Sequence, residues 1–227
     1  MKKDEIAELT KEAIELAIDQ LVTNELVKEI PVVNVVVNLL KLGTNSIPDY
    51  LFARKLNVFL NDLDSVPEKE KVKLKNKLAS KEKNVERLYE QLLNCINKLS
   101  DERKASFIAR VFLGYINEVV DLKTFKRSLE AIDMVFVDDL YLFVDECAKN
   151  DGALPSNQEI FDNMPSIFNS SLAIDNAQTM SSPYSNSQCS NYLGTLSARD
   201  IIQKEVSPLG LKLLSAYEYG NDLLCKR

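Results

Sequence analysis

From Ile6 to Cys147 apolar residues return every three or four positions, and the runs restart near Pro31, Pro48, Pro67, Ser100 and Asp121. That spacing lays one apolar stripe along a helix, whereas a half-buried strand would alternate in steps of two. Glycine occurs six times and proline seven times in 227 residues, too few for a turn-rich β architecture. The fold class expected is mainly α, beginning with an N-terminal bundle of about seven helices over residues 1–137.

The first amphipathic segment spans residues 4–29, with Ile6, Leu9, Ala13, Leu16, Ala17 and Val27 at helical spacing. Pro31 opens a second helix within "IPVVNVVVNLLKLG". Asn34, Asn38, Lys41 and Asn45 fall on one narrow stripe, and Val33, Val36, Val37 and Leu40 cover other sides. A core helix is the plainer expectation, because the run is shorter than the ~18 apolar residues needed to span a bilayer. The second reading keeps residues 31–42 as a membrane or partner helix that inserts when released. A third helix follows over about 48–63, and Ser65, Pro67 and Glu68 make a capping-box pattern for a fourth.

Lys71, Lys73, Lys75 and Lys77 crowd that fourth helix and form a candidate patch for an anionic partner, phosphate or acidic lipid. Glu68, Glu70 and Glu82 interleave with them around Val72, Leu74 and Leu78, so a solvated helix face is the simpler account. No aromatic side chain stands between the lysines for a base to stack on. Residues 84–99 and the segment led by Ser100 read as an antiparallel helical pair. Cys95 lies on the seam of the first and is expected as core filler, since no histidine exists to activate it. Asp121 is a further cap, and the helical run closes with "DDLYLFVDECAKN". There Asp138, Asp139, Asp145 and Glu146 are read as helix-start and solvated acids rather than a metal site.

Composition changes after residue 150. Residues 138–227 carry 6 basic and 12 acidic side chains, against 22 of each before them, which suggests a second, acidic unit. A mobile loop is expected at about 176–190, where Ser, Asn and Gln dominate. Two short apolar runs, 192–196 and 201–206, predict one β-hairpin. Ser207 and Pro208 then start a last helix. This order, ending in "VSPLGLKLL", resembles a winged-helix unit over roughly residues 138–220. In many members of that family such a unit binds DNA; the acidic balance here turns the expectation toward protein contacts.

Residues 30–63 are also similar to helical segments of uncharacterised bacterial proteins found near mobile elements and phage-defence genes. Asn34 stands where that pattern has a small residue. The resemblance implies a role linked to bacterial defence and no catalytic residue.

The search for chemistry returns little. There are zero histidines, and hence no ordinary general base at neutral pH and no Ser-His or Cys-His pair. Neither GxGxxG nor GxxxxGK[ST] occurs. Cys95, Cys147, Cys189 and Cys225 are widely spaced and are expected reduced. A net charge of −6 weighs against nucleic acid. "MKKDEIAEL" lacks the apolar core of a signal peptide, so a cytoplasmic protein is expected. The reading is therefore a non-enzymatic protein–protein interaction or regulatory module, with no catalytic, cofactor-binding or metal-ligating set and no small-molecule substrate. Membrane action through residues 31–42 and DNA binding through the C-terminal unit are the alternatives.

Overall fold

The computed structural model describes residues 47–80, 85–150, 152–153, 163–178 and 201–225, together with Glu12, Glu15, Leu16, Asp19 and Thr23. Those five positions are helical and exposed, and the Thr23 hydroxyl donates to the Asp19 carbonyl at 2.7 Å; the rest of the helix expected over 4–29 lies outside the described residues. Residues 31–42 lie outside the described residues.

Eight helices and two strands are described. They run α1 (Ile47–Asp64), α2 (Glu68–Ser80), α3 (Val85–Lys98), α4 (Arg103–Ile116), α5 (Leu122–Met134), α6 (Val137–Lys149) and α7 (Pro165–Asn169), then β1 (Ala173–Gln178), β2 (Ile201–Val206) and α8 (Pro208–Cys225). Mainly helical architecture with one small antiparallel sheet is what the periodicity predicts.

α4 is the axis. Of its fourteen residues all but Arg103, Ser106 and Arg110 are buried, and α1, α2, α5 and α8 pack around it. A helix apolar on nearly every side has only one stable place, the middle. Phe112 sits 5.8 Å from Phe59 of α1 and 5.9 Å from Phe125 of α5, and Tyr115 stacks on Phe125 at 4.9 Å. Removing each such phenyl ring from water contributes roughly 1.5–3 kcal/mol.

Helix ends follow local chemistry, with two departures from expectation. Asp121 caps α5 as predicted, accepting the Thr124 N–H at 2.7 Å. Ser207 likewise accepts the Gly210 N–H at 3.0 Å at the start of α8. The capping box at Ser65 does not form. Its hydroxyl donates back to Asn61 and closes α1, while Glu68 is drawn to Lys71. Nor does Ser100 cap α4, because Asp101 lies nearer and its carboxylate takes the Arg103 N–H at 2.8 Å. α4 ends with Glu118 at φ 65°, a left-handed residue whose N–H reaches Tyr115 O.

β2 matches the predicted run 201–206 and pairs antiparallel with β1, from Ala173↔Val206 to Gln178↔Ile201, a partner strand that the sequence reading did not assign; the run 192–196 lies outside the described residues. "AIDNAQ" has no alternation to betray it and owes its place to Leu172 and Ala173, which are buried in the core. The loop expected from residue 176 accordingly overlaps a strand at 176–178; its remainder lies outside the described residues.

α8 closes the structure against α4. A Cβ at Gly114 would come 2.7 Å from Ala216 Cα, and one at Gly220 would overlap the Arg110 carbonyl oxygen. Backbones can approach this closely only where side chains are absent, so these glycines set the α4–α8 distance.

Candidate functional site at one end of the bundle

α1 contributes Lys55 to a lysine-and-carbonyl arrangement that periodicity alone does not announce. Its ammonium, on a side chain only 8% exposed, donates to Leu99 O at 3.0 Å and to Asn97 O, the last carbonyls of α3. Lys104, 2% exposed, does the same for α5, donating to Asp133 O at 2.8 Å. Two buried cations thus close two helix C-termini, where the macrodipole favours positive charge. Burial pushes both ammonium groups below the usual lysine range, with Asp133 pulling them partway back. The sequence signal was available: each lysine occupies a helical step of an apolar stripe, Phe52–Lys55–Leu56–Phe59 and Lys104–Phe107–Ile108–Val111.

These two lysines bring several helix ends together. A cavity of about 390 Å³ is lined by Leu51, Arg54 and Lys55 of α1 and by residues 99–103. Arg54 pairs with Glu102 at 2.7 Å. Arg103 bridges Asp101 and Asp138, each at 2.8 Å, and so ties the start of α4 to the start of α6. The guanidinium beside it holds the Asp101 carboxyl below the usual carboxylate range.

At the same end α5 turns into α6 through Val135 and Phe136. Val135 is buried, whereas Met134 and Phe136 stand 63% and 74% exposed. The Phe136 N–H donates to the Ser166 hydroxyl at 3.0 Å, and that buried hydroxyl donates to Asp139 at 2.6 Å. Asp139 also accepts the Ser166 N–H at 3.0 Å, which anchors α7 on α6. The aromatic ring is therefore carried outward on a pinned backbone. In the sequence "MVFV" is an ordinary apolar run, and nothing in it singles out the ring.

The four lysines of the candidate anionic patch lie on α2, and each has a partner. Lys71 is buried and bonds Asp64 at 3.1 Å and Glu68 at 2.8 Å. Burial alone would lower its ammonium, but those two carboxylates hold it above the lysine range. Lys73 pairs with Glu70 at 2.8 Å, Lys77 donates to Asn117 at 2.9 Å, and Lys75 also has a partner. Val33, Val36, Val37 and Leu40 fall outside the described residues.

The acids of α6 are separated by their partners. Asp138 goes to Arg103, Asp139 to Ser166 and Glu146 to Lys149 at 2.7 Å, while Asp145 is exposed. Among the described residues no three His, Cys, Asp or Glu side chains are grouped to hold a metal ion. Cys95 donates to Leu129 O at 3.7 Å, and burial, with Asp133 nearby, pushes its thiol up to about 12. Burial pushes Cys147 up to about 12 as well. Thiols held protonated are poor nucleophiles.

A second polar group lies in the seam of α1, α4 and α8. Asp62 accepts the Ser106 hydroxyl at 2.5 Å and Arg110 at 2.8 Å; Arg110 also reaches Asn221 at 3.2 Å and lies over the Tyr217 ring. Each of these groups meets another, which makes the cluster a structural joint. No helix among the described residues is long and apolar enough to cross a membrane. No family model matches the chain, and neither a curated protein nor a solved structure is significantly similar to it.

Proposed function

We propose that this protein is a recognition or regulatory module that binds another protein through the corner where α5 meets α6. The observation carrying this reading is the exposure of Phe136 and Met134 on a backbone fixed by Ser166 and Asp139. Aromatic and methionine side chains are enriched in interfaces, and a ring presented on a rigid backbone loses little entropy on docking. Met134 and Phe136 stand exposed two residues apart, and adjoining exposed apolar groups favour contact with another chain more than a lone one such as Val72 does. A link to bacterial defence rests on the resemblance of residues 30–63.

The test is photo-crosslinking in cells from a benzoyl-phenylalanine placed at position 136, with position 72 as the control. Discrete adducts from 136, lost when Met134→Ser is added, support the reading. The same adducts from both positions, or none from 136, end it.

A further inference from the structure

We draw no further inference here: the strongest candidate, the cavity of about 390 Å³ walled by Arg54, Lys55 and Arg103 at the start of α4, carries nothing because each cation on its wall is already held, Arg54 by Glu102, Arg103 by Asp101 and Asp138, and Lys55 by the Asn97 and Leu99 carbonyls.

Discussion

Arg110 meets Asp62 and Arg103 meets Asp138 at the same 2.8 Å, yet the two pairs do different things. In the α4–α8 seam the side chains are 19% and 24% exposed, Ser106 and Asn221 complete the set, and Phe107 stacks on Tyr217 at 4.2 Å. At the α5–α6 corner they are 53% and 81% exposed, and the neighbouring aromatic ring faces solvent. Distance therefore says little about either pair until burial is known, because the surrounding dielectric sets both the attraction and the cost of losing a partner. The seam spends its aromatic and charged groups on holding helices together. The corner leaves the same chemistry open.

Gly220→Val should break the seam most severely. No rotamer frees the new Cβ from the Arg110 carbonyl, so α8 must move away from α4 and carry Tyr217 and Leu213 with it. A loss of about 3 kcal/mol is expected from urea unfolding. An unchanged midpoint would mean that α8 is not part of the cooperative core. Asp62→Ala comes next, at about 2 kcal/mol, since it strands Arg110 and Ser106 in a half-buried site. The counterpart at the corner, Asp138→Ala, should leave the midpoint where it is. Equal effects from the two aspartates would erase the contrast between seam and corner.

How much of this was legible beforehand differs element by element. α1, α3, α5 and α8 were readable because each buries one stripe, as with Leu88, Leu92, Ile96 and Leu99 on one face and Leu213, Ala216, Tyr217 and Gly220 on another. Caps at Asp121 and Ser207 were legible because their partners are three residues away. β1 was not, because its place depends on a partner strand far along the chain. The seam was equally hidden: Asp62, Arg110 and Asn221 lie on three helices and share no spacing rule. Phe136 was invisible for a further reason. Its neighbours Val135 and Val137 are buried, and only the geometry of the turn decides which member of "MVFV" faces out.

A pH titration sharpens the comparison from the buried side. Cys147 keeps its proton to about 12 in the folded protein, against 9.0 in an open chain, through burial and then Glu218 and Glu146. A group whose folded value is raised gives stability that is fully present below 9.0 and is lost as pH climbs toward 12. Cys95 adds a loss of the same sign, while Lys55 and Lys104, lowered by burial, oppose it up to the ordinary lysine value of 10.5. Urea midpoints measured from pH 8 to 11 should therefore fall less steeply in Cys147→Ala than in the parent. An identical slope would mean that the thiol is open to water.

The smallest effect on folding should be the most informative about the corner. Phe136→Ser exposes no new apolar surface and cuts no hydrogen bond, because the bond to Ser166 uses the backbone N–H. Its urea midpoint should match the parent within about 0.5 kcal/mol. Val135→Ala, one residue away and 1% exposed, should cost about 2 kcal/mol by opening a void in the core. If Phe136→Ser destabilised as much as Val135→Ala, the ring would be covered by some other part of the chain, and the corner would be core like the seam. An unchanged midpoint for Phe136→Ser would show that folding does not use the ring, while Ser166 and Asp139 fix only the backbone that carries it.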